Sequence, residues 1–301
     1  MKRPDTRKRA RADAATRRVE ITHPDKVLFP DDGITKADLA EYYRAIAPAM
    51  LPHIVGRPVT LERFNRGITG PQVYQKNVVK GFPSWLERVE VPKKDGSVHH
   101  VIVRDEHGLQ WLANQNSITP HVWTSRVPKV MKPDVAIFDL DPSDDDDDKL
   151  RAAALLLRDA LDALGMRSWV KTSGSKGLHI AVPLDARSDY GAVARFAHGV
   201  GALVTKRHPT LFTREFYKKD RGDRILVDTG RNDYSATFAA AYAVRPRAGA
   251  PVSAPCTWKE IEQGTVGPTT FTLRNLPDRV AKLGDLWGDL LTTKQTLRRR
   301  V

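Results

Sequence analysis

The sequence predicts an α/β protein in which helices pack on β-sheets. Three short apolar runs have the length and composition of buried strands, at residues 135–141, 178–182 and 225–227. Two longer segments, at about 149–164 and 190–206, instead repeat apolar residues at helical spacing. With 301 residues, 41% of them hydrophobic, the chain is long enough to bury a large core of this kind.

The first third of the chain predicts helices around a group of strands. Thr35 and Asp38 fit the polar positions of a capping box, which predicts a helix through residue 50. A second helix is expected from about Leu109 to Asn116. Strands rich in β-branched residues are expected at 59–61, 86–91 and 98–103.

The strand at 135–141 ends in two carboxylates, Asp139 and Asp141. Because residues two apart on a strand face the same side, both acids can reach one hard cation. Pro142 helps to end the strand, which leaves the acids near the rim of a rigid element. Asp-x-Asp is a common pattern, so a metal site and an ordinary strand end both remain open.

A loop of small residues, Ser173–Gly177, joins an expected strand at 168–172 to the strand that contains His179. Its two glycines allow backbone N–H groups to approach an anion, and Lys176 adds a positive charge. The loop is not a Walker A motif, since a strand rather than a helix is expected after it. A phosphate cradle and a plain hairpin turn both fit this composition, and His179 could be a structural group.

The third segment ends a short apolar strand at Asp228, and Arg231 and Asn232 follow at once. A third carboxylate would complete a site for two divalent ions, which in nucleotidyl transfer stabilise the attacking and leaving oxygens. An arginine would offset the charge of a triphosphate. Asp228 alone could equally cap the end of its strand.

Together the three segments resemble motifs I, II and III of the archaeo-eukaryotic primase superfamily, in order and in approximate spacing. The segments are Phe138–Pro142, Lys171–His179 and Ile225–Asn232. The closer resemblance is to the polymerase domain of bacterial DNA ligase D and its stand-alone actinobacterial relatives, and it covers roughly residues 20–290. This resemblance implies a two-lobed primase-polymerase fold with an RRM-like catalytic module and an active site between the lobes.

The resemblance also implies a role for individual residues. The divalent ions, manganese or magnesium, would be held by Asp139, Asp141 and Asp228. The incoming nucleoside triphosphate would be contacted by Ser173, Lys176, His179 and His121, with the basic residues Arg231 and Arg245 nearby.

On the DNA side, Lys26 and Lys36 match a pair that grips the 5′-phosphate of a downstream strand, and Tyr74 matches an aromatic that stacks on the template. Residues typical of a turn lie between the two lysines, so a loop could bring both ammonium groups onto one phosphate. The alternative is that both lysines are ordinary solvent-exposed surface residues. His23 and Val73 depart from the family pattern, where Asn and a second aromatic are common.

The net charge of +13 indicates an anionic partner, and much of the basic excess lies near the two ends. We expect a disordered basic tail at 1–18, a catalytic domain at 19–297 with lobes at about 19–125 and 126–297, and a basic end at 298–301. Five consecutive acids, Asp144–Asp148, are expected in a solvated loop. No apolar run is long enough to cross a membrane, so we expect a cytoplasmic, nucleoid-associated protein. The single cysteine, Cys256, excludes an internal disulfide.

The leading hypothesis is a DNA-dependent primase-polymerase that fills short gaps or broken ends during DNA repair, by end joining or excision repair. The resemblance implies that it also accepts ribonucleotides. DNA with a gap or break and a 5′-phosphate would be its partner, and a separate DNA ligase is expected to seal the product. A non-catalytic DNA-end binding module and an Asp-x-Asp glycosyltransferase remain as alternatives.

Overall fold

The structure, a computed structural model, describes residues 18–297. The predicted tail at 1–18, apart from Arg18, and the predicted basic end at 298–301 lie outside the described residues. The helices between residues 18 and 297 are α1 (Lys36–Ile54), α2 (Glu106–Asn114), α3 (Asp147–Ala163), α4 (Tyr190–Arg207), α5 (Trp258–Glu262), α6 (Leu276–Leu283) and α7 (Gly288–Thr292). None of these helices is long and apolar enough to cross a bilayer.

The strands of the same range form two large sheets and two short ribbons. They are β1 (Val27–Phe29), β2 (Ile34–Thr35), β3 (Pro58–Phe64), β4 (Gln72–Gln75), β5 (Glu87–Lys93), β6 (Gly96–Ile102), β7 (Ser117–Val122), β8 (Val135–Asp141), β9 (Trp169–Thr172), β10 (Leu178–Pro183), β11 (Phe212–Thr213), β12 (Ile225–Asp228), β13 (Phe238–Ala239), β14 (Ala243–Val244), β15 (Val252–Ser253) and β16 (Pro255–Cys256).

The first large sheet has the order β13-β7-β3-β6-β5, and β4 pairs with β3 as well. Its strands β3, β5 and β6 confirm the three predicted in the first third of the chain. The capping box is also confirmed, because the Asp38 amide donates to Thr35 Oγ1 and the Thr35 amide donates back to Asp38 Oδ2. Helices α1 and α2 pack together, and α2 contacts β7.

The second large sheet has the order β11-β12-β8-β10-β9-β16, so β8 lies between β12 and β10. All its pairs are antiparallel except β11 with β12. Phe138 of β8 meets Phe196 of α4, with ring centroids 6.3 Å apart. Because Asp139 and Asp141 point to the other side of β8, the helices cover one face and leave the carboxylates on the opposite face.

The two large sheets do not divide at one point in the sequence. After β12 the chain returns to the first sheet at β13, where Phe238 pairs with Val122. One buried apolar cluster contains residues of both sheets, including Val59 and Phe138. The division into lobes near residue 125 stays a prediction.

The acidic run 144–148 is only partly a loop. Asp146 caps α3 by accepting from the Lys149 amide, and Asp147 and Asp148 lie in the first helical turn. The expectation of a solvated loop was wrong for these last residues, because a helix N-terminus favours negative side chains.

Two arginines and one aspartate join the ends of α1, β7 and β8. Arg57 Nη1 lies 2.7 Å from Asp134 Oδ1, and Arg126 Nε lies 2.8 Å from Asp134 Oδ2. The same arginines donate to main-chain carbonyls, Arg57 to His53 and Arg126 to Val55. Burial raises the pKa of Asp134, but the two guanidinium groups outweigh it and leave the pKa below its ordinary value.

Replacement of this aspartate, Asp134→Asn, should lower the free energy of unfolding at pH 7 by about 3 kcal/mol, because Arg57 would stay buried without its counter-ion. The pKa of Asp134 is depressed in the folded state, so the stabilisation is present above the unfolded pKa and is lost as pH falls through the folded pKa. Urea denaturation at pH 7 and in steps below pH 4 measures both effects. The exposed Asp95→Asn serves as the control. If the difference in the free energy of unfolding between wild type and Asp134→Asn were the same at low pH as at pH 7, this account would be contradicted.

Candidate active site

A cavity of about 340 Å³ opens on the carboxylate face of the second sheet. It brings together most of the residues singled out in the sequence. Those that line it are Tyr74, His121, Asp139, Asp141, Ser173, Lys176, His179, Asp228, Arg231 and Arg245.

The three carboxylates converge through strand register. Asp228 of β12 lies directly opposite Asp139 of β8, and Asp141 follows two residues later on the same face. The three acids interact, because burial, Asp228 and Asp141 together raise the pKa of Asp139 although Arg231 opposes them. Asp228 Oδ1 also accepts from the Gly230 amide at 2.8 Å, so it caps a turn as well.

Arginine side chains contact all three carboxylates. Arg231 Nε lies 3.3 Å from Asp139 Oδ2, and its Nη2 lies 3.4 Å from Asp228 Oδ2. Arg221 Nη1 donates to Asp141 Oδ2 at 2.8 Å. In this arrangement no group of three His, Cys, Asp or Glu within residues 18–297 stands ready to hold a metal ion.

The donor chemistry nevertheless fits a divalent cation. Carboxylate oxygens are the ligands that magnesium and manganese prefer, and three converging acids repel one another until a cation joins them. A bound ion would compete with Arg221 and Arg231 for the same oxygens. The metal role of Asp139, Asp141 and Asp228 stays a prediction that this chemistry supports.

The loop at 173–177 closes a β9–β10 hairpin, so the hairpin reading is correct, and the same loop lines the cavity. Ser173 Oγ accepts from the amides of Ser175 and Gly177, which fixes the turn. A Cβ at position 177 would lie 1.8 Å from the Leu140 carbonyl oxygen, so only glycine fits there. Lys176 Nζ lies 2.7 Å from Asp145 Oδ1 and is thereby kept at the rim.

A buried lysine fixes the orientation of His179. Lys171 Nζ lies 2.8 Å from His179 Nδ1, and a lysine that donates there leaves the ring proton on Nε2. That Nε2 lies 3.4 Å from Asp139 Oδ1. Burial, Lys171 and Arg245 hold the pKa of His179 well below its usual value, which leaves a neutral ring with its N–H directed at the carboxylates.

On the opposite wall, Glu62 organises His121 and Tyr74. His121 Nε2 lies 2.8 Å from Glu62 Oε2, and the Tyr74 hydroxyl donates to Glu62 Oε1 at 3.3 Å. Glu62 is 2% exposed, whereas Tyr74 is 55% exposed. A free ring face held at a cavity edge suits stacking, so the predicted template contact of Tyr74 is sterically possible.

Arg245 supplies positive charge between these walls. Its Nη1 donates to the Ser173 carbonyl at 3.1 Å, while its buried Nε has no hydrogen-bond partner among the described residues. Arg245 lines the cavity, so its guanidinium places a positive charge where an anionic ligand could be bound.

Lys26 and Lys36 lie together, outside the residues that line the cavity. The Lys36 amide donates to the Lys26 carbonyl, and the Lys36 ammonium donates to the Thr22 carbonyl at 2.7 Å. Burial and the charges of Lys26 and Arg63 lower the pKa of Lys36. Lys36 is only 3% exposed, so the reading of this lysine as solvated surface was wrong.

Three residues of the site were missed in the sequence: Lys171, Glu62 and Arg221. A signal existed for Lys171, since a five-residue hairpin loop pairs Thr172 with Leu178 and therefore Lys171 with His179. Glu62 and Arg221 gave no local signal, because their partners lie 59 and 80 residues away in the chain.

Comparison with known proteins identifies relatives along nearly the whole chain. A family model described as the LigD primase-polymerase domain matches residues 35–287. The multifunctional non-homologous end joining protein LigD of Mycolicibacterium smegmatis is 34% identical over an alignment of 293 residues that covers 93% of this chain and 38% of that protein. The bifunctional non-homologous end joining protein LigD of Bacillus subtilis is 30% identical, over 92% of this chain and 45% of that protein.

Among solved structures, the polymerase domain from Mycobacterium tuberculosis ligase D in complex with DNA superposes with a TM-score of 0.87. The identity is 32%, over 92% of this chain and 99% of that one. This match confirms the predicted fold. The chain spans less than half the length of these curated relatives.

The buried amine can be removed without shortening the side chain by Lys171→Met. His179 Nδ1 would then lose its donor, so we expect the Nε2–H tautomer to lose its dominance and the free energy of unfolding to fall by about 1–3 kcal/mol. Imidazole ¹⁵N chemical shifts report the tautomer, and urea denaturation reports the stability. The exposed Lys282→Met is the control. Unchanged His179 shifts in Lys171→Met would disprove the positioning role.

Proposed function

Because the chain belongs to the LigD primase-polymerase domain family, we propose that it extends a DNA primer by template-directed nucleotidyl transfer during repair of gaps or broken ends. Membership in this family makes it a nucleotidyltransferase of the DNA-directed polymerase class. Enzymes of this class use a divalent metal ion and nucleoside triphosphates. The repair setting is part of the proposal, since the relatives named for end joining are much longer proteins.

The observation that carries the proposal is that acidic and basic side chains line the same cavity. Asp139, Asp141 and Asp228 form its floor, while Lys176 and Arg245 lie on the hairpin side. A polymerase must hold a triphosphate next to carboxylates, so that charge developing on the phosphoryl oxygens is offset.

Each group then has a role that its geometry supports. When bound to the three carboxylates, divalent metal ions would activate the primer hydroxyl and stabilise the leaving pyrophosphate. The N–H of His179 Nε2 can donate to a phosphate oxygen beside Asp139, and the guanidinium of Arg245, which lines the cavity, can donate to another. Tyr74 would stack on the template at the cavity edge.

The alternatives differ in what this site would do. A glycosyltransferase is disfavoured by the family match along the chain. A non-catalytic end-binding module would not need three converging acids, whose mutual repulsion is costly unless a cation is bound. The intact acidic cluster therefore favours a working enzyme.

Substrate and metal preferences extend the proposal. We infer that manganese or magnesium serves as the divalent ion, with manganese favoured, and that ribonucleoside triphosphates are accepted, on the strength of the family resemblance. Side-by-side extension with each metal and with each nucleotide type would measure these preferences. The favoured DNA would contain a short gap or break with a 5′-phosphate, and a separate ligase would seal the product.

Removal of either strand carboxylate, by Asp139→Ala or Asp141→Ala, should lower primer extension by at least about 1,000-fold, since charge stabilisation in the transition state is lost. DNA affinity should stay the same or rise, because an acid that repels the phosphate backbone is removed. Gel-based extension and fluorescence anisotropy measure the two quantities separately.

Asp95→Asn, in an exposed turn, is the matched control for extension and folding. The isosteric Asp141→Asn tests whether loss of the partner of Arg221 disturbs the fold. Extension at the wild-type rate by Asp139→Ala or Asp141→Ala, at saturating nucleotide, would refute the assignment of these residues.

A second prediction concerns Lys26 and Lys36. A terminal 5′-phosphate has more negative charge than an internal phosphodiester, so two neighbouring ammonium groups should favour it, and less so at high salt. Wild type should bind a phosphorylated short-gap duplex about tenfold more tightly than the unphosphorylated one, and Lys26→Ala/Lys36→Ala should lose that preference.

The measurement is anisotropy titration of both duplexes at low and moderate salt. Lys282→Ala, an exposed lysine on α6, controls for the general loss of charge. If the double variant kept the full preference for the phosphorylated gap, the lysine pocket would be excluded even though primer extension persisted.

A further inference from the structure

The loop between β11 and β12 presents two aromatic side chains to solvent, and the first of them, Phe216, also lines the cavity. Phe216 is 70% exposed and Tyr217 is 66% exposed, the highest values among the large apolar side chains of residues 18–297. Their ring centroids lie 5.6 Å apart in an edge-to-face arrangement. Two large rings left in water forgo a substantial hydrophobic gain, which a partner would recover.

Two arginines, Arg221 and Arg224, hold the backbone of this loop through hydrogen bonds. Arg221 Nε donates to the Glu215 carbonyl at 3.0 Å and its Nη2 donates to the Phe216 carbonyl at 2.5 Å. The remaining nitrogen of the same guanidinium, Nη1, donates to Asp141 Oδ2. Arg224 Nε in turn donates to the Arg221 carbonyl. The backbone that presents the two rings is therefore tied directly to one of the active-site carboxylates.

The location of the loop indicates which part of a substrate would meet it. In the sheet order β11-β12-β8-β10-β9, the aromatic loop and the hairpin loop 173–177 lie on opposite sides of β8. In an in-line displacement the attacking and leaving oxygens are on opposite sides of the phosphorus. If the pyrophosphate leaves toward the hairpin, the attacking primer strand arrives from the side of Phe216.

The neighbouring charges suit a nucleic-acid strand. Lys218 and Lys219 follow the two rings directly and Arg214 precedes them, and all three are exposed. Glu215 and Asp220 are exposed in the same stretch, so residues 214–220 have a net charge of +1. Aromatic faces beside basic groups are the combination that binds single-stranded nucleic acid, by base stacking and by phosphate contacts.

Resting on the proposed polymerase function, we propose that Phe216 and Tyr217 form a platform that stacks on the terminal base of the primer strand. Lys218 and Lys219 hold the adjoining backbone. The platform would present the primer hydroxyl to Asp139, Asp141 and Asp228, on the side of the cavity opposite the triphosphate loop.

The first test places 2-aminopurine, whose fluorescence is quenched by stacking, at the primer 3′ end or at the templating position. Binding of the full chain should quench the primer probe, and Phe216→Ala/Tyr217→Ala should remove that quenching while sparing the template probe. Tyr74→Ala should show the reverse pattern. Equal quenching of the primer probe by wild type and Phe216→Ala/Tyr217→Ala would overturn the platform, as would loss confined to the template probe.

The second test is kinetic. Phe216→Ala/Tyr217→Ala should weaken primer-template binding about tenfold, with the KM for nucleotide unchanged. Phe216→Trp/Tyr217→Trp should restore binding, whereas Phe216→Leu/Tyr217→Leu should not, since apolar bulk without a flat ring cannot stack. Full rescue by the leucine variant would overturn stacking. Leu283→Ala, exposed on α6, is the control.

The role of Lys218 and Lys219 is tested by measuring how DNA affinity depends on salt concentration. Lys218→Ala/Lys219→Ala should reduce the slope of log affinity against log salt by about two, because each lysine would neutralise one phosphate of the strand. An unchanged slope would exclude binding of the backbone by these lysines. Failure of wild type to extend any primer would refute the proposed function, whereas the fluorescence assay needs no turnover and judges the platform separately.

Discussion

Mutual repulsion among Asp139, Asp141 and Asp228 is the constraint around which this protein is built. Three carboxylates on neighbouring strands cannot all stay ionised in a partly buried cavity without nearby positive charge. In the structure that charge comes from Arg221 and Arg231, which contact the acids directly. The second sheet and its flanking loops thus hold together three carboxylates whose mutual repulsion is unfavourable. A bound cation, whether free or carried by the substrate, would make that arrangement favourable.

The first sheet contributes the wall that faces this cluster. Glu62 on β3 anchors His121 on β7 and lies within reach of Tyr74 on β4, so three strands converge on one buried carboxylate. Strand β13, which follows the turn at Gly230–Asn232, pairs with β7 and joins the two walls. The cavity is therefore formed by both sheets, and neither sheet contains a complete site.

Neutral donors and charged donors have separate tasks in this arrangement. His179 is kept neutral by burial and by Lys171, so its N–H can approach a phosphate without adding another buried charge. Arg245 lines the same cavity and adds a positive charge there. The fold is similar to that of the polymerase domain of ligase D, and beside the cavity the rings of Phe216 and Tyr217 extend into solvent.

The sequence by itself determined the four longest helices and the strands that bear Asp139, His179 and Asp228. Short-range physics is sufficient for these: strand alternation places Asp139 and Asp141 on one face, and the Thr35 capping box starts α1. The other site residues, His121, Arg245, Tyr74, Lys26 and Lys36, came only from the family resemblance. Tertiary structure decided what depends on long-range contacts. Asp134 gains its arginine partners, Glu62 meets His121, and Arg221 reaches Asp141 only when distant segments pack together. Burial of Lys36 was equally invisible, because a lysine reads as surface until the fold closes over it. The local sequence pattern thus identified the carboxylates, and tertiary packing decided which charged side chains lie next to one another.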